Sequence, residues 1–128
     1  RGICCLRPNR KRLSENIEVI SIVGDYLEHS RIYYFHNLGD PLIYSGSADV
    51  MIRSYKRRIE SLFSINDDQI KKQAITILNY NLRDNCNSYV LQEDGTYNKK
   101  SYSKKSRFNV FEEFYKINKE NINDRIIL

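Results

Sequence analysis

Residues 28–49 read "EHSRIYYFHNLGDPLIYSGSAD". Two runs rich in Ile, Tyr and Phe flank the loop at 37–41, "NLGDP", which holds Gly39 and ends on Pro41. Such runs around a short Gly-containing loop predict a β-hairpin, with extended segments at 29–36 and 42–49. Residues two apart in a strand share a face, so His29 and Arg31 point the same way, about 6.6 Å apart along the strand. His36 has the opposite parity and lies about 23 Å further on, so the two histidines cannot share a metal.

Pairing His36 with Leu42 sets Phe35 opposite Ile43, Tyr33 opposite Ser45, Arg31 opposite Ser47 and His29 opposite Asp49. Opposed residues share a face, with Cβ atoms about 5 Å apart, so four polar side chains gather at the open end of the hairpin. A slip of one residue scatters them. The set has a chemical logic. Imidazole exchanges protons near neutral pH. Arginine presents planar paired donors to phosphate oxygens. A serine hydroxyl adds a hydrogen bond, and an aspartate can hold the imidazole tautomer. Such a corner suits phosphoryl transfer, where positioning and charge stabilisation do most of the catalysis. The plain alternative is a polar hairpin end with a surface histidine.

Outward from the hairpin, residues 1–6 read as a short buried strand, 7–12 ("RPNRKR") as a basic loop, and 14–16 as a turn. The β-branched run at 17–23 predicts a strand, and 57–63 ("RRIESLF") another. Asn66 is the expected cap of a helix carried by Ile70, Ala74, Ile77 and Leu78 and ending near Asp84. A strand at 86–92, a tight turn at Asp94-Gly95 and a helix at 108–119 follow. The segment "YNKKSYSKKSR" (97–107) reads as polar, basic and mobile. Strands followed by a helix, a strand and a helix argue for an α/β or α+β sheet domain.

The chain has 128 residues, 41% of them hydrophobic and 29% charged. That length suits one domain, 1–128, with a core that needs no covalent staples. No apolar run reaches the length of a membrane span, and "RGICCLRP" has no long apolar segment of a signal peptide. The sequence begins without Met, inside an expected strand, and is read as a piece of a longer protein. Cys4 and Cys5 are adjacent and Cys86 is alone, an odd set without C-x-x-C spacing, so reduced thiols and a cytoplasmic setting are expected. The net charge of +5 favours an anionic partner.

Two family patterns resemble these residues. "HSR" at 29–31 and "GSAD" at 46–49 resemble the His-x-Lys and Gly-Ser-x-Asn motifs of the phospholipase D superfamily, with Arg31 in the lysine position and Asp49 in the asparagine position. The second is more specific. "RGICCLRP", "LSENI", "SIVG", "YLEHSRIYYF", "GDP", "SADVM", "RRIE", "DN" and "DGTY", in order from Arg1 to Tyr97, resemble the last catalytic domain of bacterial polyphosphate kinases.

That resemblance implies an α/β fold with a phospholipase D-like mixed β-sheet flanked by helices. It implies reversible transfer of the terminal phosphate of ATP to polyphosphate, at a site shared with a preceding catalytic domain of the same chain. The phosphorylated histidine and the arginines that hold Mg belong to that preceding domain, so no metal ligand is expected here. Arg1 matches the family's nucleotide-contacting arginine. His29 matches its second active-site histidine, a proton donor or phosphate contact. Arg31, Ser47, Asp49 and Arg53 complete the expected ATP and phosphate site. ATP, ADP and inorganic polyphosphate are the implied partners. A homo-oligomer in the cytoplasm, with membrane association of the full-length protein left open, is the implied setting.

The sequence also departs from the family. The glycine-rich turn after "LRP" is Asn9, Arg10, Lys11 and Arg12 here. The tryptophan after "SAD" is Val50, and the Pro and Asn around Arg53 are Ile52 and Ser54. Arg53, Lys56, Arg57 and Arg58 read equally as a polyanion path or as a basic strand start paired with Glu60. Two alternatives stand beside the kinase reading. One is a non-catalytic basic nucleic-acid-binding module, supported by "RPNRKR" and "KKSYSKKSR" but lacking a recognition motif. The other is half of a phospholipase D-like hydrolase, which Arg31 and Asp49 argue against.

Overall fold

The structure, a computed structural model, describes residues 4–117. In chain order these form β1 (Ile20–Ile22), β2 (Ile32–Phe35), β3 (Leu42–Gly46), α1 (Ile52–Arg57), β4 (Leu62–Ser64), α2 (Asp68–Arg83), β5 (Ser88–Leu91), β6 (Tyr97–Lys99) and α3 (Val110–Tyr115). The α/β class is as expected, and among the described residues the strands form two antiparallel sheets, β1-β5-β6 and β2-β3-β4. The chain divides into two units. One holds residues up to Leu27 and again from Tyr80, and the other holds Glu28–Asn79.

In the second unit, β2 and β3 form the expected hairpin, but slipped by one residue. Phe35 pairs with Leu42, Tyr34 with Ile43, Tyr33 with Tyr44 and Ile32 with Ser45. The connection explains the slip. Asn37 and Leu38 take left-handed backbone with φ of 44° and 56°. The Asn37 side chain donates to the Asp40 carbonyl at 2.9 Å, and His36 is drawn into the turn by the Gly39 N–H on its carbonyl at 3.0 Å. The loop therefore consumes one residue more than its composition suggests. With this register Ile43 is buried, at 1% exposure, while Phe35 and Tyr44 meet edge-on across the other face at 6.0 Å.

Strand β4 joins β3 through Tyr44–Ser64, Ser45–Phe63 and Gly46–Leu62. Gly46 must lack a side chain, because a Cβ there would lie 2.2 Å from the Ser61 carbonyl oxygen. The expected strand at 57–63 is only half correct. Residues 52–57 wind into α1, and pairing begins at Leu62. The basic side chains Lys56 and Arg57 sit in the last turn of α1, where they favour the carbonyl end of a helix.

Helix α2 starts one residue later than expected. Asp67, not Asn66, caps it, with Oδ1 accepting from the Gln69 and Ile70 N–H groups at 2.9 and 3.0 Å.

In the first unit, β1 and β6 flank β5. Strand β6 falls in the segment read as mobile, and the Asp94-Gly95 turn before it forms as expected. Residues 4–6 are not a buried strand: they form no strand and are exposed. The three cysteines are free, Cys86 buried and Cys4 and Cys5 exposed. Tyr80 stacks on Phe114 at 5.4 Å and meets Phe108 edge-on at 5.5 Å. Asp84 is fully buried. Its carboxylate accepts from the Asn87 N–H and the Ser88 hydroxyl on one oxygen, and from the Asn87 amide and the Val110 N–H on the other. It therefore ties the end of α2 to the starts of β5 and α3 with no donor left over. Residues 8–14 form a stapled turn: Asn9 N–H bonds Ser14 O at 2.9 Å, and Ser14, itself buried, donates its hydroxyl to Arg7 O.

Candidate functional site: a basic corner at the hairpin end

Strand β2 begins only at Ile32, so His29 and Arg31 lie in the extended approach to it. The Arg31 carbonyl accepts from Gly46 N–H at 3.3 Å and from the Ser45 hydroxyl at 3.0 Å, which carries the hairpin pairing one step further. The Arg31 side chain then folds over the open end. Its Nε donates to Asp49 Oδ1 at 2.9 Å and its Nη1 donates to the His29 carbonyl at 2.7 Å. The segment carrying Asp49 is itself held. Tyr33 donates its hydroxyl to Ala48 O at 2.6 Å, and Met51 N–H donates to Asp49 O at 2.8 Å.

Of the four side chains expected at this corner, Arg31 and Asp49 meet. Ser47 does not join them. It continues the pairing with the β4 side through its N–H on Ser61 O at 3.0 Å, and its hydroxyl donates to Glu60 Oε2 at 2.6 Å. The slipped register is the cause, because it takes Ser47 out of the position opposite Arg31. His29 is exposed, and among the described residues its imidazole makes no hydrogen bond to Arg31, Ser47 or Asp49. Arg53 stands exposed on α1. Arg1 lies outside the described residues.

The electrostatics enlarge the corner. The Arg31 hydrogen bond, and then the charges of Arg31, Arg53 and Arg58, hold the Asp49 carboxyl below its usual range. The same bond raises Arg31. Three guanidinium groups thus act on one carboxylate that is 42% exposed, so water screens the pair. With Glu60 counted beside Asp49, three guanidinium groups face two carboxylates, a surplus of one positive charge. Arg58 also approaches Glu60, Nη1 to Oε1 at 4.0 Å, which is the pairing its spacing suggests. The corner's use of Arg58 was hidden because α1 was not foreseen. The only cue was a basic run closed by one glutamate. Glu60 further borders a cavity of about 420 Å³ walled by Tyr33, Phe35, Tyr44, Tyr55 and Leu62.

Among the described residues no three His, Cys, Asp or Glu side chains come together as metal ligands. No helix among them is long and apolar enough to cross a membrane.

A cationic corner on an α/β scaffold is what the geometry shows. The comparisons narrow it. Residues 1–110 match the family described as polyphosphate kinase C-terminal domain 2, and the chain belongs to that family. It is similar to the polyphosphate kinase of Synechocystis sp., 52% identical over 97 residues, which cover 76% of this chain and 13% of that one. The polyphosphate kinase of Staphylococcus haemolyticus is 53% identical over 97 residues, with 76% and 14% covered. The crystal structure of polyphosphate kinase from Porphyromonas gingivalis superposes with a TM-score of 0.85 at 33% identity, over 98% of this chain and 18% of that one. The chain thus spans about one-seventh of the length of its curated relatives, 13% and 14% for the two named.

Proposed function

We propose that this chain is the C-terminal catalytic domain of an ATP:polyphosphate phosphotransferase and supplies half of its active site. The family match over residues 1–110 is the observation that carries the reading. The basic corner at Arg31 supports it.

In the overall reaction the bond between the terminal phosphorus of ATP and its bridging oxygen breaks, and that phosphorus becomes bonded to the end oxygen of polyphosphate. Transfer runs in both directions. The transferred group carries its charge on three equatorial oxygens, so fixed guanidinium groups lower the barrier. Arg31 and Arg53 hold phosphate oxygens in this reading. Asp49 keeps the Arg31 fork from swinging, which spares the reaction the cost of ordering it. Ser47 is a further phosphate contact only if it leaves Glu60. His29 lies free to turn toward substrate as proton donor or phosphate contact. Arg1 contacts the nucleotide. The histidine that carries the phosphoryl group, and the ligands for Mg, belong to the preceding catalytic domain. The whole protein is a cytoplasmic homo-oligomer in this reading.

The test is an ATP-to-polyphosphate assay on the whole protein and on this chain alone. His29→Ala in the whole protein should slow turnover by about 10²-fold or more, the usual worth of a positioned acid. Near-normal turnover removes His29 from the chemistry, and robust turnover by this chain alone removes the half-site reading. Tighter binding of DNA than of polyphosphate of equal charge would favour the nucleic-acid module instead.

A further inference from the structure

The turn at 7–12 is built in an unusual way. It carries Arg7, Arg10, Lys11 and Arg12, all exposed, and among the described residues none of these side chains forms an ion pair. It is nevertheless braced by hydrogen bonds. The hydroxyl of buried Ser14 donates to the Arg7 carbonyl and accepts from the Arg10 N–H at 3.1 Å. The Leu13 and Ser14 N–H groups close on the Arg10 carbonyl at 3.0 and 2.9 Å. Asn9 and Arg12 take left-handed backbone with φ of 61° and 63°. Glycine adopts that conformation freely and arginine does not. The sequence therefore keeps a strained arginine, preceded by two more cations, on a hydrogen-bonded frame. Strain of this kind persists where the surroundings enforce it and marks a candidate site.

We propose that this turn is a second anion-binding element, and that Arg10, Lys11 and Arg12 take consecutive phosphates of an inorganic polyphosphate chain. The inference rests on the phosphotransferase reading for the identity of the ligand. An extended ligand fits better than a small one. Arg7 and Arg10 share a cleft of about 330 Å³ with Glu93 and Asp94. A lone phosphate in that cleft would meet two carboxylates. A chain of phosphates laid along Arg10, Lys11 and Arg12 meets three cations, with the Glu15 carboxylate already held on the Arg12 N–H, and gains by releasing counterions.

The experiment measures binding of long-chain inorganic polyphosphate to the 128-residue chain by titration calorimetry across a salt series. The variants are a triple substitution, Arg10→Ala with Lys11→Ala and Arg12→Gly, and a charge-keeping pair, Arg10→Lys with Arg12→Lys. Arg12→Gly removes the charge at the residue where glycine relieves the backbone, so the turn keeps its shape, which circular dichroism checks. The triple variant should bind on the order of tenfold more weakly at physiological salt, and its log–log salt slope should fall by about 2 to 3. The charge-keeping pair should bind nearly as the parent does. Unchanged affinity and slope in the triple variant overturn the inference and leave the phosphotransferase reading standing. Preference of the parent chain for single-stranded DNA of matched charge overturns both.

Discussion

Arg31 Nε and Asp49 Oδ1 lie 2.9 Å apart, although the strands that carry the two residues toward each other are out of the register that would set them on one corner with His29 and Ser47. The long arginine side chain bridges what the backbone pairing does not. The contact locks the orientation of a guanidinium without neutralising its surroundings, because Arg53 and Arg58 add to the same field.

The pair sets a pH dependence. The Arg31 guanidinium holds the Asp49 carboxyl below the usual aspartate range in the folded state. Its contribution to stability is therefore present above the unfolded pKa and lost as pH falls through the folded one. The Asp49 carboxyl resonance should titrate below the usual aspartate range, and Arg31→Ala should raise its midpoint. An unmoved midpoint would mean that the pair does not persist in solution.

Gly46 should not tolerate a methyl group. A Cβ would sit 2.2 Å from the Ser61 backbone oxygen, which cannot rotate away. Gly46→Ala should cost about 1–3 kcal/mol, as overpacking does, and thermal unfolding measures it. A Tm equal to the parent's would show that β4 gives way freely.

Asp84 should matter for stability although the proposed chemistry does not use it. Asp84→Ala orphans the Val110 N–H and the Ser88 hydroxyl in a fully buried position. Each orphan costs about 1–3 kcal/mol, so a total loss of about 3 kcal/mol or more is expected in denaturant titration. A loss below about 1 kcal/mol would mean that water replaces the carboxylate.

The turn at 7–12 can be read through its backbone. Arg12, at φ 63°, should accept glycine and resist a β-branched residue. Arg12→Val should be less stable than Arg12→Gly by about 1–2 kcal/mol. Equal stabilities would place Arg12 in ordinary backbone in solution.

The hairpin was legible because two apolar runs and a Gly-containing loop leave few other solutions. Its register was not, because Leu38 in left-handed backbone has no composition signal. Helix α1 was masked by the β-branched and aromatic residues just after it, and by a run of cations that suits a helix end and an exposed strand equally. Strand β6 was missed because "YNK" reads as loop, yet as a sheet edge it needs only backbone pairing with β5. Arg31 and Asp49 were expected at one corner, but with Arg31 opposite Ser47 and Asp49 opposite His29; their direct pairing is what the structure adds. Arg58 reads from the sequence as part of a polyanion path or as a partner of Glu60; the Glu60 approach is present, and its effect on Asp49 is what strand alternation did not show.

Strand β1 pairs with β5, and the residues between them contain all of the β2-β3-β4 sheet. During synthesis the hairpin unit can close while Ile20–Ile22 still lacks its neighbour. The nascent chain must hold an unpaired apolar strand until residues beyond Arg83 leave the ribosome, and that interval is when this polypeptide is most open to chaperones and to misassembly.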